Sequence, residues 1–505
     1  MIRQRKMDIN RESTSIAEKI LSYLLLILSA AFVIVFFIIA IKRLSYPFEL
    51  EWMEGGSVDH VARVMKGLPI YCKPTLDFTP FRYAPLYYYI SAGLASITGL
   101  GFIPLRLVSI LSTVGCFTVI YKLLRNETNN RLMAVMGVGL FAATFPLGGS
   151  WFDLARVDML FLFLLLCSIY VMRFYSSLSA TIVAGILIWL SFITKQSALI
   201  ILAPLVLYYI VRQKRKGIIF AGTILGCVLI STLIFQATSD GWYNFYIFKM
   251  GAQQHIIGKG LESFKRFFVL DLYKNLSIFV LLLIYYIIHC LKNIRNRVEA
   301  FYLLAILGVT VGTYMSRANA GGWTNTLLPI HALIAVITVL AVHRIIIDAS
   351  SLKKGMSKTI PIFIYTLLLI QFTSMIYSPS PHIPTMADRE AGMEFISKMR
   401  AFQGDILVPY HSYIPTMAGK KSYANHISIQ DVLSRSSGAP REELAAEIRQ
   451  SIAQKRFDAI IIDRPWFQND LEIHYRKSDM VFKDNSVFLP VAGWQIRPEA
   501  VYVPR

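Results

Sequence analysis

Apolar positions in this chain come in long unbroken runs, rather than in the alternation of a half-buried strand or along a single helical stripe. Runs of spanning length lie near residues 20–41, 103–124, 131–147, 157–173, 178–194, 197–212, 217–237, 275–291, 300–315, 326–345 and 359–378. With about 20 apolar residues needed per crossing, they predict an α-helical polytopic membrane protein of about 11 transmembrane helices. One further run, PLYYYISAGLASI (Pro85 to Ile97), has only about 13 residues and is rich in tyrosine, a residue that favours the membrane interface.

The charges between runs decide the role of that segment. If it does not span, the basic N-terminal tail, KLLRNETNNR, Arg173, RQKRK (Arg212 to Lys216), KNIRNR (Lys292 to Arg297) and His343 to Lys358 all fall on one side. The positive-inside rule makes that side cytoplasmic. If it spans, the same charges scatter over both sides. The pattern therefore predicts an interfacial or re-entrant helix and a cytoplasmic N-terminus. The first exterior loop is then 43–102, and GGSWFDLAR, TKQS, residues 238–274 and SRANAGGWTN share its side. The apolar segment after the basic tail has no small-residue cleavage site and is expected to be an uncleaved first span.

After about Ser380 the pattern changes. GDILVPY and FDAIIIDRP are short apolar runs of buried-strand type, and REELAAEIRQSIAQK has helical periodicity. A transmembrane domain over 1–379 and a small extracytoplasmic α/β domain over 380–505 are expected. A binding or lid role and a packing role are both open for the second.

Composition supports the membrane reading and narrows the partners. Hydrophobic residues make up 55% and charged residues 16%, with a mean hydropathy of +0.52. The formal charge of +20 sits mainly between apolar runs, so it points to topology and anionic membrane lipids rather than to nucleic acid. The five cysteines show no paired or metal-ligand spacing, and there is no HExxH and no phosphate-binding glycine loop after a strand. Neither a metal nor another cofactor is expected.

Polar residues at the exterior ends of the runs are the candidate chemistry. ELEWMEGGSVDH carries Glu49, Glu51, Glu54 and Asp59 directly after the first span. A surface helix starting near Ser57, with Asp59 in its first turn, would leave them as solvated cap acids, whereas the neighbouring Trp52 and Met53 argue against simple solvation. Arg82 and Tyr83 precede Pro85, where a cation either binds a lipid phosphate or snorkels to headgroups. GGSWFDLARVDMLF brings Asp153, Arg156 and Asp158 to the edge of a span, either as an internal ion pair or facing the glutamate loop across one cavity. Lys195 in SFITKQSALI either snorkels or contacts an anion. His255 and Arg317 are weaker candidates, with ordinary loop contacts as the alternative.

In order along the chain, the acidic loop, ARVMKGLPIY, YAPLYYYISA, PLRLVSILSTVGC, ARVDMLFLFLLL and ITKQSALIILAPLVLYY resemble the GT-C membrane glycosyltransferases. The branch most similar contains protein O-mannosyltransferases and lipid A aminoarabinose transferases, and the resemblance covers roughly residues 20–215. It implies an enzyme of the plasma (inner) membrane that takes a sugar from a polyprenyl-phosphate carrier and transfers it, usually with inversion, to a lipid, glycan or protein acceptor. It implies Glu54 as general base, about eight residues before the Ala62-Arg63-x-Met65 helix. Glu in place of Asp, and Gly55 in place of a second acid, keep Glu51 open as the alternative. Lys195, Arg82 and Arg156 are implied for the donor phosphate, and Tyr83, Asp153, Asp158, His255 and Arg317 as substrate-binding candidates. A flippase of lipid-linked sugars and a non-catalytic cell-envelope assembly protein are the competing readings. No internal symmetry of the transporter kind is visible in the sequence.

Overall fold

The computed structural model describes residues 15–252 and 260–505. Each predicted apolar run lies on a helix. In chain order these are α1 (Ile16–Leu44), the short α2 (Glu54–Met65) and α3 (Leu86–Thr98), then α4 (Phe102–Thr128), α5 (Arg131–Ala143), α6 (Asp158–Phe174), α7 (Leu178–Phe192), α8 (Ala198–Gln213) and α9 (Arg215–Ala237). Helices Lys274–Lys292, Arg297–Ala318, Leu328–Ser350 and Lys354–Ser374 complete the bundle. Among the described residues, seven helices are long and apolar enough to cross a membrane, while α5, α7 and α8 are apolar but shorter. The chain is a multi-pass membrane protein.

A helix that is apolar on every face belongs inside a bundle, and Leu328–Ser350 takes that place, buried without a break from Leu328 to Val342. Helix α3, 13 residues long, extends about 20 Å, well short of the roughly 30 Å of hydrocarbon it would have to cross. Helix Lys274–Lys292 breaks at Leu276 (φ −133°, ψ 36°). Broken backbone in a bilayer needs a partner, and Gln371 supplies it: its amide oxygen accepts from Ile278 N–H at 3.0 Å and its NH₂ donates to Asn275 C=O at 3.1 Å.

Beyond the last long helix the chain builds a four-stranded sheet in the order β1 (Ile406–Leu407), β2 (Ala459–Ile462), β4 (Ala500–Pro504), β3 (Tyr475–Met480). The β1–β2 pair is parallel and the other two are antiparallel. A parallel pair needs a crossover connection, which here holds helices His426–Arg435 and Ala439–Ala453. GDILVPY and FDAIIIDRP are thus strands and REELAAEIRQSIA is a helix.

This sheet unit is bonded to the first long loop. Ala492 N–H donates to Leu50 C=O at 3.0 Å and Ala424 N–H to Leu76 C=O at 2.9 Å. His411 lies between Glu49 and Asp463, hydrogen-bonded to both, with 2.8 Å to Asp463. Burial works against a charged imidazole, but Asp463 and Glu49 outweigh it and push His411 up to about 10. It is a buried cation clamped by two carboxylates.

Candidate active site

Two acids three residues apart, Glu51 and Glu54, meet opposite surroundings. Glu54 opens α2 and is fully buried. Its Oε1 accepts from Ala155 N–H (2.6 Å) and Arg106 Nε (3.3 Å), and its Oε2 from Leu50 N–H (2.7 Å) and Arg106 Nη2 (2.7 Å). Arg106, on α4, gives its remaining N–H groups to the carbonyls of Arg43, Tyr46 and Phe48. All five guanidinium donors are then used. Beside this pair Arg43, at the end of α1, holds Asp153 at 2.6 Å, and burial raises the Asp153 carboxyl against that cation. The two pairs form a sealed layer that fixes the path of residues 43–54 and 150–155.

The helix that follows starts at Glu54, three residues earlier than expected, and has no side-chain cap. Gly55 and Gly56 serve close packing there: a Cβ on Gly55 would lie 2.1 Å from Glu49 Oε1, and one on Gly56 2.4 Å from the Phe81 ring. Asp59, expected as a solvated first-turn acid, is half-buried and accepts from Ser422 Oγ at 2.9 Å. Burial raises its carboxyl to about 7.

Glu51 lines a cavity of 660 Å³. Its Oε2 accepts from Arg156 Nη1 at 2.8 Å and from Met53 N–H at 3.3 Å, and among the described residues no donor holds Oε1. Burial raises the carboxyl to about 7, with Arg156 pulling it down. Arg156 is itself raised: burial works against its charge, but Glu51, Tyr83, Asp158 and Tyr88 together outweigh it, and its Nη2 donates to the Tyr83 hydroxyl at 3.0 Å. Lys195 reaches the same cavity while bonded to Asp158 at 2.7 Å. Asp158 is held further by Asn325 (3.1 Å) and the Trp151 indole N–H (3.0 Å). Arg82, the third cation on the wall, pairs with Asp431 at 2.7 Å.

Five of the residues expected at a site, Glu51, Arg82, Tyr83, Arg156 and Lys195, therefore line one cavity. Glu54, the expected base, does not: it lies in the sealed layer with both oxygens occupied. Asp153 lies in that layer too, and Asp158 stands behind Lys195. Neither internal pairing expected of Arg156 forms, because Glu51, Arg43 and Lys195 take the three partners. Arg317 is engaged by Asp271 at 2.7 and 3.1 Å, away from the cavity wall. His255 lies outside the described residues.

Sequence reasoning missed Arg106 and Arg43, whose signal was a cation inside or at the end of an apolar run. It also missed the far wall. Helix His426–Arg435 turns His426, Ile427, Gln430, Asp431, Ser434 and Arg435 to the cavity, the i, i+4, i+8 spacing of one helical face. Trp494 and Trp323 complete that wall. No local pattern marks these residues. Among the described residues no group of three or more His, Cys, Asp or Glu is placed to hold a metal ion.

A family profile described as Dolichyl-phosphate-mannose-protein mannosyltransferase matches residues 82–238, a region that contains Arg82, Tyr83, Arg106, Arg156 and Lys195. No curated protein matches the sequence. Among solved structures, ArnT from Cupriavidus metallidurans in the apo state is similar with a TM-score of 0.59 at 11% identity, covering 94% of this chain and 97% of that one. The same protein bound to undecaprenyl phosphate gives 0.57 at 11% identity, with the same coverage. The chain has the GT-C fold of the membrane glycosyltransferases.

Proposed function

We propose that the chain moves a sugar from a polyprenyl-phosphate carrier to an acceptor hydroxyl, with Glu51 rather than Glu54 as the general base. What supports this most is the cavity in which one carboxylate raised to about 7 shares a wall with Arg156, Lys195 and Arg82. The fold is shared with a protein crystallised with undecaprenyl phosphate. A carrier phosphate stays at the bilayer interface while its sugar projects out of it, so the site needs fixed cations and a base beside them.

In the proposed step the acceptor oxygen attacks the anomeric carbon and its proton passes to Glu51. The bond from that carbon to the phosphate oxygen breaks, and the electron pair leaves with the phosphate. Lys195 and Arg82 stabilise the charge that accumulates there. Arg156 orients Glu51, and Tyr83 orients Arg156. Asp153 and Glu54 hold the loops, and Asp158 holds Lys195. Residues 1–379 form the membrane domain. Residues 380–505 form the second domain on the carrier side, which the basic loops make extracytoplasmic, in the plasma (inner) membrane.

The test supplies membranes containing the chain with undecaprenyl phosphate carrying radiolabelled hexoses or pentoses, and follows label into a new product. Wild type is expected to transfer label. Glu51→Gln is expected to lower the rate by about 10²–10⁴, with the wild-type rate rising as pH rises through about 7, where Glu51 ionises. Label left on every carrier supplied would overturn the reading.

A further inference from the structure

The cavity has two chemically different halves. The one described above is cationic. The other is walled by the C-terminal segment and by the loop before Leu328, and its lining is aromatic and neutral-polar (Trp52, Trp323, Trp494, His426, Gln430 and Ser434) apart from Asp431 and Arg435, which pair with each other.

Its aromatic residues are unevenly buried, and the difference is informative. Trp52 is buried, with Trp494 edge-on at 6.1 Å and His426 at 6.3 Å, and His426 stacks on Tyr410 at 4.1 Å. Trp494 and Trp323 are each 43% exposed although they line a cavity. An indole combines a polar N–H with a large apolar face, and two of them half open on one cavity present a surface for a flat ligand. Burial lowers His426 to about 4, so its ring is neutral at physiological pH. Arg435, the cation on this side, is occupied by Asp431 and by the Asn319 and Ala320 oxygens, which leaves this half without a spare cation for an anionic headgroup. A flat apolar C–H face flanked by hydroxyls matches such a wall, and that is the shape of a pyranose ring.

The placement against Glu51 is equally specific. Ala492 is bonded to Leu50, and Gly493 adopts φ +71° with an ideal Cβ position 2.7 Å from Glu51 Cγ. Only glycine combines that backbone with that approach, so the Trp494 loop rests directly on the proposed base.

We infer that this half of the cavity is the acceptor subsite and that it takes the ring of a carbohydrate, with Trp494 and Trp323 as its apolar faces and Gln430 and Ser434 as hydrogen-bonding groups. The inference rests on the glycosyl-transfer reading for the word acceptor, but binding of a sugar ring stands or falls alone. The full chain in lipid nanodiscs is presented with the methyl glycosides of glucose, galactose, mannose and N-acetylglucosamine, and separately with a threonine-containing hexapeptide amide, in saturation-transfer NMR. Ring C–H protons of at least one glycoside are expected to receive saturation. Trp494→Ala is expected to weaken that binding about five- to tenfold, the effect of truncating a buried aromatic anchor, and Trp494→Phe to keep most of it. Gln430→Leu, which leaves the loop intact, is expected to weaken it less. Saturation of the peptide and of no glycoside overturns the inference, as does wild-type glycoside binding in both Trp494→Ala and Gln430→Leu. Undecaprenyl phosphate binding to wild type is measured in parallel: its absence removes the donor reading and leaves the glycoside result to decide the subsite.

Discussion

The sealed layer and the cavity wall are built from the same residue types and do different work. In the first, Arg106–Glu54 and Arg43–Asp153 lie out of reach of solvent, and Arg106 spends every donor on a carboxylate or a loop carbonyl. In the second, Arg156–Glu51, Lys195–Asp158 and Arg82–Asp431 keep at least one member on the cavity. An ion pair that is shut away from solvent holds backbone, and one left open on one side can answer to a substrate. Resemblance along the sequence favoured Glu54, whereas position on the cavity and lone-pair occupancy favour Glu51.

The largest test of that contrast attacks the sealed layer. Removing one member of a buried pair leaves the other uncompensated, at roughly 3–5 kcal/mol. Arg106→Met also orphans three loop carbonyls, so it is expected to unfold or fail to accumulate. Glu54→Gln is expected to lower the thermal midpoint in detergent while the molecules that remain folded still transfer sugar. Glu51→Gln is expected to lose transfer; it also takes a partner from Arg156, but that guanidinium keeps the Tyr83 hydroxyl and faces the cavity, so the midpoint falls less than in Glu54→Gln. If folded Glu54→Gln is inactive at the wild-type midpoint, the assignment of the two acids is inverted.

Next comes the donor side. A charge-assisted hydrogen bond contributes about 1.5–3 kcal/mol, so Lys195→Ala is expected to raise KM for the polyprenyl donor roughly 10- to 100-fold. Donor titrations at fixed acceptor measure this, and an unchanged KM would take the phosphate away from Lys195.

The clamp around His411 gives a pH signature for the joint between sheet unit and loop. Its pKa is raised from about 6.5 in the unfolded chain to about 10 in the fold. The stabilisation is therefore complete below about 6.5 and lost as pH rises through about 10. Thermal midpoints of wild type should fall more steeply between pH 8 and pH 10 than those of His411→Gln (all pH values approximate). Parallel slopes would mean that the clamp is not charged.

How far the sequence carried depends on the range of each signal. Membrane helices are local: about 20 apolar residues suffice, and every predicted run lies on a helix, while the two strands and the helix expected in the C-terminal segment form as strands and helix. The cations and acids that end those runs were visible because charge there is rare. Their pairing was not, because Glu54 meets Arg106 across 52 residues and His411 meets Glu49 across 362. Ser57 was expected to start the helix, which begins at Glu54 instead, and Gly55 and Gly56 in its first turn are contact points for Glu49 and Phe81. The far wall of the cavity, Trp494, His426 and Gln430, had no local signature at all. Only the docking of residues after 380 onto the first loop brings it there.

The smallest expected effect belongs to the most exposed pair of the wall, and it sharpens the contrast at its weak end. The Arg82 and Asp431 side chains are 23% and 14% exposed, so water and salt share the interaction and its contribution is about 1 kcal/mol or less. Arg82 also lends its carbonyl to the Gln196 amide at 2.7 Å, a contact that a side-chain truncation leaves in place. Arg82→Ala should therefore keep its fold and change donor KM by about fivefold or less, an effect that shrinks further in high salt as screening already weakens the wild-type contact. A loss equal to that of Lys195→Ala would make Arg82 a principal phosphate ligand, and would mean that Asp431 releases it when the donor binds.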